Sequence, residues 1–244
     1  MGIPFFFDMF PQLLHGVWLT VEISVICFFF GNAMAVGVAV LRLSKNPIIA
    51  NLARGYISLF RSTPFLTQVY IIYYGLGDVF AHQPELRHSF LWPFLREAFW
   101  YGILALSLNT AAYSGNILKG GLEGVPFGEI EAGRAFGMSP MMIFWRISLP
   151  RAIRIILPAM SGETILLIKT TAILSTITIL DTMGAARFII AQTFRVYEPL
   201  LAAACYYFAL TFIITRIFRY LEAYLNKDRL EPVQIDAELP VEVA

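Results

Sequence analysis

The stretch Glu129–Pro150, EIEAGRAFGMSPMMIFWRISLP, breaks up a chain of 244 residues in which 58% are hydrophobic and only 14% are charged. Glu129 to Phe136 carries helix-forming residues with acids at its start, which complement the helix dipole, and Gly137 follows where a left-handed cap residue is wanted. Ser139-Pro140 then reads as an N-cap followed by proline at the first helical position, opening a second helix that Pro150 terminates. The spacing predicts a bent pair of short helices. Helices under about 12 residues are marginal alone, so the pair needs a surface to pack on. Phe136, Met138, Met141, Met142, Phe144 and Trp145 are too many apolar residues for a solvated loop. Two surfaces qualify, the chain's own inner membrane face and a cytosolic partner, and the residues alone weigh them equally.

Outward from this segment the chain is too apolar to coat a soluble globule, for which about 25% charged residues is usual. It belongs in a lipid bilayer. Apolar runs at about Gly16–Leu41, Gly55–Phe80, Ala98–Leu118, Ala152–Ile177 and Pro199–Leu221 are each long enough to cross roughly 30 Å of hydrocarbon as a helix. The expected fold is therefore an all-α integral membrane domain of about five spans over residues 1–225, with a short polar tail at 226–244. Thirteen of the 18 Lys and Arg residues, from Arg42 and Lys45 to Lys227 and Arg229, fall on one side of such a topology. By the positive-inside rule that side is cytoplasmic, with the N-terminus outside and the C-terminus inside. MGIPFFFDMF lacks the cationic start of a signal peptide, and no cleavage is expected. Cys27 and Cys205 lie in apolar runs and read as small buried hydrophobes. No charged tail suggests nucleic acid.

The segment also fits a wider pattern. Glu131-Ala132-Gly133, three residues to Gly137, then nine to Ile147-x-Leu149-Pro150 resembles the EAA motif, E-A-A-x(3)-G-x(9)-I-x-L-P, of ATP-binding-cassette importer permeases. It departs at one fixed position, Gly133 for the second alanine. Arg61-Ser62-Thr63-Pro64, then Gln68 and Tyr73-Tyr74-Gly75-Leu76, is similar to the R-G-T-P-x-x-x-Q...Y-x-G-L signature of the polar amino-acid permeases in that family. Leu106-x-Leu108-Asn109-Thr110-Ala111-Ala112-Tyr113 matches the same group's third helix. Ser62 stands where glycine is usual, and Asn116 where a glutamate commonly follows. The histidine, lysine-arginine-ornithine and opine type is nearest in appearance.

The resemblance implies a MetI-like fold whose bent pair, residues 127–150, is a coupling helix docking in a cleft of a cytosolic ATPase dimer. It implies that Glu131, Ala132, Gly133, Gly137, Ile147, Leu149 and Pro150 serve that coupling. It further implies a second permease subunit, like or unlike, an extracytoplasmic amino-acid-binding protein, and residence in a bacterial inner membrane. No cofactor is expected in this chain: it lacks a G-x-x-x-x-G-K-[ST] loop, and ATP with Mg²⁺ would sit on the partner ATPase. The implied function is ATP-driven import of polar amino acids by alternating access. A secondary transporter or an integral-membrane enzyme is the alternative, but no internal repeat, coupling-ion site or convergent catalytic set stands out.

For the substrate, Glu163 is the informative residue. A carboxylate deep in an apolar run is costly unless paired or wet. Lys169 is a poor partner on the same helix, because six residues leave the two side chains about 120° apart; snorkelling or a helix contact suits it better. Thr170, at i+7, shares the Glu163 face. Glu163, with Asn109 and Thr170, is the candidate site for the cationic end of arginine, lysine, ornithine or histidine. Asn109, Tyr113 and Asn116 form a polar stripe at i, i+4, i+7.

Overall fold

Helices account for all regular structure among residues 3–225, which the computed structural model describes; the expected tail at 226–244, with Lys227 and Arg229, lies outside the described residues. α1, Ile3–Arg42, is a single rod of 40 residues. α2, Pro47–Ser62, is started by Asn46, whose side chain accepts the Ile48 N–H, with Pro47 at the first helical position. The chain then breaks at Thr63 and resumes as α3, Phe65–Tyr70, a π turn at Ile71–Leu76 and α4, Gly77–Ala81. Two single turns, α5 (Pro84–Arg87) and α6 (Trp92–Leu95), lead to α7, Ala98–Glu123. After α8, Phe127–Ala135, come α9, Pro140–Ile143, a π turn at Phe144–Ser148 and α10, Leu149–Thr170, followed by a 3₁₀ turn at Thr171–Ile177. α11, Thr182–Thr193, and α12, Tyr197–Leu225, complete the chain.

Pairwise contacts fix the directions. Cys27 meets the Ile103 carbonyl, Gly31 lies against Thr110, and Gly115 against Ala35 and Val38, so α1 and α7 run parallel. Arg54 shares a cavity with Asn116, Gln68 bonds Asn109, and Tyr73 packs on Tyr101, which makes α2 to α4 antiparallel to α7. Gly121 lies against Ala152, and Gly102 against Leu174, so α10 is antiparallel to α7 as well. α12 follows α1, with the Tyr206 hydroxyl donating to the Phe10 carbonyl at one end and Phe218 beside Phe28 at the other. Five alternating crossings result, with the termini at opposite ends of the bundle. α1 and α12 are each long and apolar enough to cross a membrane unaided.

Three features differ from the sequence expectation. Pro150 does not end a helix: Pro140–Ile177 is one continuous rod. The π turn has already moved the pairing, since the Leu149 N–H bonds the Phe144 carbonyl, and proline in the first turn of α10 surrenders no bond the helix was using. The second span is not one helix from Gly55 to Phe80. Pro64 disfavours helical geometry in the residue before it, and Thr63 is extended at φ −108°, ψ 143°. The fourth span does not stop at Ile177. It turns through Thr178, left-handed at φ 72°, and continues as α11 after a bend of 44°.

Close helix approach rests on small residues, as expected where lipid supplies no hydrophobic drive between helices. A Cβ added to Gly16 would lie 2.7 Å from the Asp181 carbonyl oxygen, a backbone atom that cannot step aside, whereas nothing lies within 4 Å of one added to Gly37 on the same helix. Gly16→Ala should therefore destabilise the protein by about 1–3 kcal/mol, as overpacking does. Gly37→Ala should be neutral or slightly stabilising; thermal unfolding of the two purified variants in detergent makes the comparison.

Candidate functional site

Two regions carry the residues singled out by sequence: the bend between α8 and α9, and a polar belt midway along α7. The bend is built by local capping. Gly137 adopts φ +73°, the left-handed geometry that only glycine takes without strain. The Gly137 N–H bonds the Arg134 carbonyl at 2.9 Å and the Met138 N–H bonds the Gly133 carbonyl at 3.1 Å, the paired pattern of a Schellman motif. Ser139 then caps α9 by accepting the Met142 N–H.

The seven motif residues fall into two groups. Gly133 is buried against Ile147 and Ile143 of the same segment. Ile147 is half-buried, and Leu149 joins an apolar core with Ala39, Leu118 and Ala152. Glu129 pairs with Arg151 at 2.9 Å, tying α8 to the start of α10. Glu131, Ala132, Gly137 and Pro150 face outward. Between them stands an apolar surface that the chain leaves uncovered: Phe136 is 88% exposed, Met141 67% and Trp145 56%. Of the six apolar residues noted in the sequence, Phe144 packs on the chain's own core.

The belt centres on the break in the second span. Gln68, buried, shares its side-chain N–H groups among the Phe60 carbonyl (2.8 Å), the Thr63 carbonyl (3.0 Å) and the Thr63 hydroxyl (2.8 Å). Its own oxygen accepts from Asn109 on α7 at 2.9 Å. One amide thus satisfies carbonyls that the break at Pro64 frees, and fastens the break to α7. Thr63 adds a bond to the Leu59 carbonyl. Arg61 lies over the Tyr113 ring, 5.4 Å from its centre.

Glu163 sits on α10 at about the level of Tyr113, given that α10 runs antiparallel to α7. It is half-buried, makes no ion pair within 4 Å among the described residues, and interacts electrostatically with Arg61. Thr170, two turns along the same face, bonds the Leu166 carbonyl. Asn109 bonds Gln68 and Glu163 interacts with Arg61, so no hydrogen bond joins the three residues named as a substrate site to one another among the described residues. Lys169 is exposed.

Sequence reading passed over Asp181, which is fully buried at the α11 N-terminus. Its carboxylate accepts from the Gly184 N–H (3.0 Å) and from the Tyr207 hydroxyl of α12 (3.0 Å). Thr20 of α1 accepts the Thr182 N–H at 3.0 Å and bonds the Thr182 hydroxyl at 2.8 Å. The second break is thereby pinned to two other helices. An aspartate followed by Thr182 within an apolar run is an N-cap signature, and that was the available signal.

A family model described as "Binding-protein-dependent transport system inner membrane component" matches residues 29–227. The chain belongs to this family. It is an inner-membrane permease subunit of an ATP-binding-cassette importer, and not an enzyme. The permease is 43% identical over 241 residues to the octopine transport system permease protein OccM of Rhizobium radiobacter, covering 96% of this chain and 97% of that protein. It is 42% identical to the nopaline transport system permease protein NocM of Agrobacterium fabrum, covering 93% and 92% of the two chains. It is 34% identical to the histidine/lysine/arginine/ornithine permease HisM of Escherichia coli K12, covering 85% and 86%. Its backbone matches the crystal structure of an amino acid ABC transporter with histidines at a TM-score of 0.77 and 29% identity, over 92% of this chain and 99% of that one. The fold also matches the MetNI methionine transporter at a TM-score of 0.72.

Within this permease, Gln68→Leu strands buried carbonyls at the break and should cost about 1–3 kcal/mol. That loss should appear as a lower unfolding temperature than that of Thr67→Leu, a change at an exposed neighbour.

Proposed function

We propose that this chain imports cationic amino acids or their derivatives by alternating access, driven through the α8–α9 bend by a cytosolic ATPase dimer that holds ATP and Mg²⁺. The bend end of the bundle, rich in Lys and Arg, is cytoplasmic, which puts the N-terminus outside and the C-terminus inside. A second permease subunit, identical or related, shares the pathway, and an external amino-acid-binding protein delivers the substrate.

The observation that carries this reading is the bend itself. Its backbone is capped at both helices and bolted to α10, yet Phe136, Met141 and Trp145 project uncovered. A rigid apolar knob outside the bilayer suits a cleft on a partner. Glu131 and Gly137 sit on this knob, while Gly133, Ile147 and Leu149 hold it in place. Similarity to permeases for octopine, nopaline and histidine/lysine/arginine/ornithine supports the substrate class, and the half-buried Glu163, without an ion pair within 4 Å among the described residues, supplies a carboxylate to a cationic end.

In proteoliposomes holding the whole transporter, Gly137→Ala should leave the complex assembled but reduce substrate-stimulated ATP hydrolysis. The alanine meets no neighbour there, so the cost is backbone strain alone, about 1–2 kcal/mol. Unchanged stimulation would count against a geometric role for the bend. Glu163→Gln should lower arginine uptake at least tenfold, by loss of a charge-assisted bond, without loss of assembly. Unaltered uptake kinetics would remove Glu163 from the substrate site.

A further inference from the structure

α2 is amphipathic in a way that lipid does not tolerate. Ala50, Ala53 and Ile57 are buried, whereas Arg54, Ser58, Arg61 and Ser62 are exposed along one face. An arginine-serine face at membrane depth must look onto water or protein. Here it lines an open cavity of about 470 Å³, flanked by Arg42 from the end of α1 and by Tyr113 and Asn116 from α7. Three guanidinium groups therefore share one polar cavity. None of them has an ion pair within 4 Å among the described residues; beyond what the Tyr113 ring and the more distant Glu163 offset at Arg61, their mutual repulsion is relieved by water or by an anion.

From this we infer that Arg42, Arg54 and Arg61 form an oxyanion site for the carboxylate of the transported amino acid, an inference that rests on the substrate class proposed above. Arg61 is the link between the two ends. It lies over Tyr113 inside this cavity and interacts electrostatically with Glu163. A substrate with a cation at one end and a carboxylate at the other can thus engage Glu163 and the arginine cavity together, with Arg61 common to both. Guanidinium groups favour carboxylates through paired N–H donors, and Ser58, Ser62 and Asn116 add neutral donors around them. The two positions where the sequence departs from the permease signature, Ser62 and Asn116, both line this cavity. A glutamate at 116 would neutralise one arginine from within. Asparagine leaves the cavity cationic.

The test is equilibrium binding of radiolabelled arginine and of agmatine, its decarboxylated analogue, to the whole transporter in nanodiscs of phosphatidylcholine, with and without added phosphatidylglycerol. Arg54→Gln and Asn116→Glu should each weaken arginine binding about tenfold or more while leaving agmatine unchanged, and Arg54→Lys, which keeps the charge but not the paired donors, should fall between the wild type and Arg54→Gln. Retained agmatine binding shows that each variant is folded. Equal loss of both ligands, or no loss of either, overturns the site. Displacement of arginine by phosphatidylglycerol in the wild type, absent in Arg54→Gln, also overturns it by assigning the cavity to a lipid headgroup. Should the wild type bind neither ligand, the substrate class falls and the site with it. If Glu163→Gln abolishes binding of both ligands while Arg54→Gln alters neither, the substrate class stands and only the carboxylate site is lost.

Discussion

A backbone carbonyl or N–H in hydrocarbon has no water to bond, so every interruption of a spanning helix must be satisfied from within the protein. This permease interrupts two of its five crossings. At Thr63–Pro64 the freed carbonyls are taken up by Gln68, whose oxygen is held by Asn109. At 178–181 the start of α11 is taken up by the Asp181 carboxylate, with Thr20 and Tyr207 closing the arrangement from α1 and α12. Each break is fastened to a neighbouring helix by a few side chains. A break held in this way acts as a defined joint.

The joints give the bend something to act on. From Pro140 the chain is one rod through the π turn and α10 to Ile177, where the second joint lies. Leu149 and the Glu129–Arg151 pair fix the bend to the lower part of that rod. A displacement imposed at Phe136 or Trp145 is therefore delivered to a rigid element bearing Glu163 partway along and Asp181 beyond its far end. Close glycine contacts such as Gly31 on Thr110 and Gly115 on Val38 let α1 and α7 pack tightly beside it.

What the sequence made legible follows the range of the interactions involved. Gly137, Ser139 and Pro140 announce themselves because helix caps are local, decided within three or four residues, and they stand as expected. The membrane class and the number of crossings follow from long apolar runs. Pro150 misled because its ordinary role as a terminator assumes an undisturbed ladder of bonds, and the π turn before it removes that premise. The break at Pro64 hid inside an apolar run because the amide that repairs it comes from the following helix. α11 hid for the same reason, its start depending on Thr20, some 162 positions away. The arginine cavity draws on three helices; sequence alone showed Arg42 as a topology marker, Arg61 and Ser62 within a signature and Tyr113 and Asn116 on a polar stripe, with nothing local to join them.

The central claim is that the uncovered face of the bend belongs to the ATPase. A single cysteine placed at Phe136, in a background with Cys27 and Cys205 changed to alanine, can be probed with a short bifunctional cross-linker in membranes containing the whole transporter. The predicted result is an adduct with the ATPase subunit whose yield changes when ATP is bound. An adduct confined to this chain or to its sister permease, with no ATPase captured in any nucleotide state, would contradict the account.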